Sequence, residues 1–81
     1  MYFVYILECA DTTLYTGITT DVNRRIEEHN ESKRGAKYTK ARRPLILRHV
    51  EKFRIVNKAL KREAAIKKLT RREKLKLILQ K

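Results

Sequence analysis

Residues Tyr2 to Glu8 read YFVYILE, an almost unbroken apolar, aromatic and β-branched run in a chain where 37% of residues are charged. A strand without polar alternation must be covered on both faces, which makes it the central strand of a sheet. A chain of 81 residues has room for one such core, and it buries only roughly 60–65% of its unfolded surface. A single domain over residues 1–81 is therefore expected, with the remaining elements arranged to cover that strand.

The polar stretch Ala10-Asp11-Thr12 forms a turn, and Leu14 to Ile18 resumes a strand, close enough for an antiparallel hairpin. An odd-residue loop centred on Asp11 puts Tyr5 opposite Gly17 and Leu7 opposite Tyr15. With side chains alternating at period two, Tyr5 and Tyr15 then share a face, and Gly17 leaves space over Tyr5. Thr20 or Asp21 caps the next helix, with Asp21 well placed for its positive end. Val22 and Ile26 form its apolar stripe, which ends near Asn30. Arg25 and His29 lie four residues apart on one face and flank the stripe, at the edge of the core. Arg24, Glu27 and Glu28 take the solvent side. A tyrosine, an arginine and a histidine gathered in this way suit the holding and attack of an anionic phosphodiester.

The stretch SKRGAKYTKARRP, Ser32 to Pro44, reads as a long basic loop. Lys33, Arg34, Lys37, Lys40, Arg42 and Arg43 suit contacts to a nucleic-acid backbone, and Tyr38 suits stacking on an unpaired base. Leu45 to Val50 reads as a third strand, with Arg48 and His49 near its end and His49 a strand-surface residue. A helix is expected from Arg54 to about Lys68. Its apolar arc holds Val56, Ala59, Leu60 and Ala64, with Arg54, Lys58, Lys61, Arg62 and Lys68 opposite. Glu63 falls inside the apolar arc, where a carboxylate is costly unless paired with a cation or bound to a metal. Both partners satisfy the pattern. Thr70 to Glu73 matches a capping box. Leu75, Ile78 and Leu79 then give a last amphipathic helix, a lid with Lys74, Lys76 and Lys81 outward.

The net charge of +12 is unevenly placed: residues 1–31 carry two basic and six acidic side chains, and residues 32–81 carry nineteen basic and three acidic. A basic excess confined to the second part is the footprint expected of a polyanion partner. The single cysteine, Cys9, excludes an internal disulfide and any cysteine-rich zinc site, and is expected as a small buried hydrophobe. No apolar run approaches the ~18 residues that span a membrane, and no charged segment precedes the N-terminal apolar stretch. A soluble cytoplasmic protein is expected.

Val4-Tyr5-Ile6, then Tyr15-Thr16-Gly17, then Arg25 and His29 on the following helix, and finally Glu63, resemble the GIY-YIG nuclease superfamily. The match spans essentially the whole chain and is most similar to the small stand-alone bacterial members, in which a loop like Gly35 to Pro44 recurs. The resemblance implies an α/β (α+β) fold: a three-stranded antiparallel sheet flanked by helices, in the order β-β-α-β-α-α. It implies hydrolysis of DNA phosphodiester bonds with one divalent ion, Mg²⁺ or Mn²⁺, and a role in DNA repair or recombination. Tyr5 and Tyr15 match the two motif tyrosines, either of which serves as the base. Arg25 matches the phosphate-binding arginine, His29 the helix histidine, and Glu63 the metal-binding glutamate. Val4 stands where the motif name has glycine, and Thr70 to Leu77 holds none of the asparagine that many active relatives carry beyond the glutamate.

Three readings follow. The first is a metal-dependent endonuclease acting on DNA rather than RNA. The second is a binding module that grips nucleic acid on a nuclease scaffold without cutting it. The third is a subunit whose helices dock on a protein partner that supplies targeting. A monomer or weak dimer is compatible with all three.

Overall fold

The computed structural model describes residues 1–80; Lys81, expected outward, lies outside the described residues. Three strands form one antiparallel sheet in the order β2-β1-β3: β1 (Tyr2–Glu8), β2 (Leu14–Thr19) and β3 (Ile46–Phe53). β1 is central, as its composition demands, and Val4, Tyr5, Ile6 and Leu7 are all buried. One face carries Val4 and Ile6, packed on Ala59 and Ile66 of α3 (Val56–Lys67) and on Leu77 and Ile78 of α4 (Arg71–Leu79). The other carries Tyr5, Leu7 and the buried Cys9, closed by Leu45 and by Ile26 of α1 (Val22–Glu31). The order is the expected β-β-α-β-α-α, with a four-residue helix α2 (Lys37–Lys40) added inside the basic loop.

Local chemistry sets the register. In the β1–β2 turn, Asp11 Oδ1 accepts from the Thr13 amide (3.1 Å) and hydroxyl (2.6 Å). Tyr5 consequently faces Gly17, and Leu7 faces Tyr15. Asp21 caps α1 by accepting from the Arg24 amide at 3.1 Å. Thr70 and Glu73 form the reciprocal capping box of α4.

Several boundaries and faces differ from those read along the chain. β3 runs from Ile46 to Phe53 instead of Leu45 to Val50, because the whole of β1 offers it partners as far as Tyr2, opposite Phe53. Arg48 and His49 therefore sit mid-strand. α3 starts at Val56 instead of Arg54, and its buried face centres on Ala59 and Ile66, with Val56, Leu60 and Ala64 exposed. At ~100° per residue Ile66 lies about 20° from Ala59 and Leu60 about 100° away, so seating the larger Ile66 turns Leu60 out. The same rotation brings Arg62 inward, where its guanidinium forks onto Glu51 of β3 at 2.7 and 2.9 Å. In α4, Leu77 and Ile78 pack inward, while Leu75 and Leu79 are exposed and Lys74 is half-buried.

Gly17 is fixed by close approach. A Cβ there would collide with the Tyr5 phenol, 2.5 Å from Cζ, and that ring is buried and tied by its hydroxyl to His29. Gly17→Ala is expected to destabilise the fold by about 1–3 kcal/mol through overpacking. Urea denaturation reads this directly; an unchanged midpoint would show that Tyr5 is free to move.

Candidate active site

Tyr5 from β1 and Tyr15 from β2 project from one face of the sheet, and His29 of α1 packs edge-on against both, with ring centroids 5.8 and 5.2 Å away. His29 is not at the core's edge, as expected from the stripe; it is fully buried. Its burial is made possible by hydrogen bonds at both ring nitrogens, since an unpaired buried polar group is costly. Nε2 lies 2.8 Å from the Tyr5 hydroxyl, and Nδ1 lies 2.9 Å from Thr39 Oγ1.

The direction of these bonds follows from counting protons. The Thr39 hydroxyl has one hydrogen and donates it to the Ala36 carbonyl at 2.9 Å. With that proton on the Ala36 carbonyl, Thr39 Oγ1 is assigned as acceptor from His29, the tautomer with the ring proton on Nδ1. Burial, reinforced by the cation of Arg25, drives the His29 pKa down to about 4 against the pull of Glu28, so the ring is neutral near pH 7. Its Nε2 is then a bare acceptor, and Tyr5 donates to it. Burial also pushes the Tyr5 phenol up to about 12, with Arg25 pulling it down and Tyr15 and Glu63 adding to the rise. The result is a directed chain: Tyr5 O–H to His29 Nε2, His29 Nδ1–H to Thr39, and Thr39 O–H to the Ala36 carbonyl.

Arg25 lies beside this chain. Its Nη1 donates to Glu28 Oε1 (3.0 Å) and the Arg34 carbonyl (2.8 Å), and the guanidinium also bears on the Tyr5 hydroxyl as a hydrogen-bond donor. Glu28, expected to face solvent, is thus half-buried as the clamp that orients Arg25. The remaining guanidinium donors suit a phosphate oxygen. Glu63 is 17% exposed and pairs with Lys67 of its own helix at 3.3 Å. It lies close enough to Tyr5 to bear on the phenol's ionisation. No cluster of three His, Cys, Asp or Glu side chains occurs among the described residues. The donor set fits Mg²⁺ or Mn²⁺ nonetheless: a single half-buried hard carboxylate, the rest of the shell left to water and phosphate.

The basic loop divides in two. Lys33, Arg34, Lys37 and Lys40 are exposed, and so is Tyr38. Arg42 holds the loop to the β1–β2 turn through Asp11 (3.0 Å) while lying 3.9 Å over the Tyr38 ring. Arg43 turns inward, and its guanidinium donates to the carbonyls of Glu28, His29 and Ser32 at the end of α1. Gly35 allows this packing, since a Cβ would lie 2.6 Å from the Glu28 carbonyl. The stretch is therefore anchored in place, and α2 presents Thr39 to His29.

Thr39 is the residue that reading the sequence missed. A threonine between a tyrosine and a lysine in a basic loop carries no signal of burial. Lys67 and Lys74 were likewise hidden among the helix lysines.

A buried tyrosine–histidine pair thus stands beside an arginine on the helix-covered sheet described above. The family model of the GIY-YIG catalytic domain matches residues 1–76, and the chain belongs to this nuclease family. Within it, the chain is similar to UPF0213 proteins. It is 58% identical over 78 residues to one from Syntrophus aciditrophicus, covering 96% of this chain and 90% of that protein. It is 53% identical over 74 residues to one from Halobacterium salinarum, covering 91% and 95%. The solution NMR structure of a UPF0213 protein from Bacillus halodurans superposes with a TM-score of 0.62 at 47% identity, covering 96% of this chain and 83% of that one.

The depressed His29 pKa has a consequence for stability. The unfolded chain takes up the histidine proton near pH 6.5 and the folded chain only near pH 4, so between these values the unfolded state binds more protons. The contribution is fully present above about 6.5 and is lost as pH falls toward 4. At ~1.36 kcal/mol per pH unit it amounts to roughly 3 kcal/mol. Urea unfolding at pH 7 and 4.5 should show this fall in wild type and a much flatter response in His29→Gln. Equal slopes would place the His29 proton elsewhere.

Proposed function

We propose that the protein is a metal-dependent endonuclease that hydrolyses DNA phosphodiester bonds in the cytoplasm, as a monomer or weak dimer, in DNA repair or recombination. The observation that carries this reading is the directed chain from Tyr5 through His29 to Thr39, set beside Arg25.

Arg25 holds a non-bridging oxygen of the scissile phosphate. Tyr5 then acts as the base. With its pKa near 12 Tyr5 keeps its proton at neutral pH, so it takes one from water only as it gives its own to the bare His29 Nε2, 2.8 Å away. As a water gives its proton to Tyr5 Oη, the Tyr5 proton passes to His29 Nε2. The water oxygen bonds to phosphorus, the bond to the leaving oxygen breaks, and that oxygen takes a proton from solvent. His29 becomes a cation whose Nδ1–H stays on Thr39, so the ring does not turn during transfer. Tyr5 is only 2% exposed, which restricts its reach to a water and keeps it from the polymer itself. Tyr15, half-buried against His29, closes the pocket and lies toward the substrate. Glu63 would hold the divalent ion, whose chemistry is to neutralise charge on the phosphoryl oxygens.

A binding module without cleavage is favoured by one observation, the Lys67 ammonium already seated on Glu63. That reading predicts strongly salt-dependent binding that tolerates loss of Glu63.

Cleavage of supercoiled plasmid and branched DNA with Mg²⁺ and Mn²⁺ separates the two. Tyr5→Phe and Arg25→Ala are each expected to lower the rate about 10²–10³-fold. Thr39→Val should cost about tenfold by freeing the imidazole, and Glu63→Ala should abolish the response to metal. Full activity in both Arg25→Ala and Glu63→Ala would overturn the site.

A further inference from the structure

Two shallow cavities of about 210 and 280 Å³ lie along β2, one of the two edge strands of the sheet, sharing Leu14 and Lys74 in their walls. Four consecutive residues, Thr13 to Thr16, line them. Because successive side chains point to opposite faces, the cavities straddle the strand's outer edge. Three cations from the helices follow in order: Arg71 at one end, Lys74 shared, and Lys67 at the other. Arg71 is steadied by donating to the Thr12 carbonyl at 2.6 Å, and Lys67 by Glu63. The second cavity ends against Tyr15 and Tyr38, whose rings are 6.1 Å apart and 26° from parallel. Tyr38 is 40% exposed.

Thr16 adds an independent mark. It lines the second cavity and is 4% exposed, and its Oγ1 is the one buried side-chain polar atom without a partner among the described residues. A native fold rarely leaves such a group unpaired unless something else completes its bonding.

We propose that this groove is the track of one unpaired nucleic-acid strand leading to the phosphate held by Arg25. Arg71, Lys74 and Lys67 take its backbone phosphates, and the Tyr15–Tyr38 wall takes an unpaired base. The inference rests on the nuclease reading and gives it a substrate class: DNA with a single-stranded segment next to the cut. Cavities of about 210 and 280 Å³ set in line suit one sugar–phosphate chain. A line of cations ending on an aromatic platform is how single strands are held without regard to sequence. It also assigns a task to cations of α3 and α4, outside the basic loop.

Binding of a labelled oligothymidylate and of a blunt duplex, followed by fluorescence anisotropy in EDTA across a salt series, tests it. Arg71→Gln/Lys74→Gln should weaken single-strand binding about tenfold and flatten its salt slope by about 1.4, at ~0.7 for each lost phosphate contact. Lys58→Gln/Lys61→Gln removes the same charge from exposed positions of α3, with Lys58 opposite Lys67, and should leave the affinity within about twofold. Tyr38→Ala should cost about tenfold on the single strand and little on the duplex. Equal weakening by the two lysine-bearing pairs, or none from the groove pair, would overturn the track. The readout needs no cleavage, so a groove that binds in a protein that cuts nothing would refute the nuclease reading alone.

Discussion

The hydrogen bond between Tyr5 and His29 joins parts of the chain that nothing else brings together so directly. Tyr5 is on the central strand and His29 near the end of α1, 24 residues apart, and the bond is buried at 2.8 Å. It needs Gly17 opposite Tyr5, because any side chain there would occupy the phenol's place. It also needs a partner for the far side of the imidazole, which α2 supplies through Thr39. The basic loop is thereby tied to the core by a neutral polar chain, and Arg43 reinforces the tie by donating to the carbonyls at the end of α1. One interaction thus joins the hairpin glycine, the buried histidine and the anchored loop.

Burial gives that chain its chemistry. A histidine in water is half-protonated near pH 6.5; sealed beneath the loop and beside Arg25, it stays neutral to about pH 4. The same burial disfavours a free phenolate on Tyr5. The two shifts together keep the chain neutral at rest, with the proton held on Tyr5 and His29 Nε2 bare to accept from it. The charge division along the sequence complements this. The acidic first part supplies Tyr5, His29 and the Glu28 clamp, while nineteen of the twenty-one cations belong to the second part.

Much of the fold was legible because it rests on short-range rules. The β1 run demanded a central strand, the Asp11 turn set the register opposite Gly17, and Thr70 to Glu73 declared a capping box. What was not legible depended on competition between distant groups. Periodicity placed Leu60 and Val56 in the core, but seating Ile66 and pairing Arg62 with Glu51 turned α3 about its axis. Glu63 looked inward from its position on the arc, and the structure shows it half-buried with a cationic neighbour, Lys67. The site showed itself as Tyr5, Tyr15, Arg25 and His29, yet the role of Thr39 arises only once α2 folds over the histidine. A buried hydroxyl in a loop of lysines and arginines has no local signature.

The tautomer of His29 sets the direction of the whole chain from Tyr5 to Ala36. Long-range ¹H–¹⁵N correlation of the imidazole ring, followed from pH 8 down to pH 5, reports which nitrogen bears the proton and when the second arrives. A neutral ring is expected throughout, with the proton on Nδ1 and Nε2 bare toward Tyr5. A proton on Nε2, or an imidazolium already formed at pH 6, would contradict it.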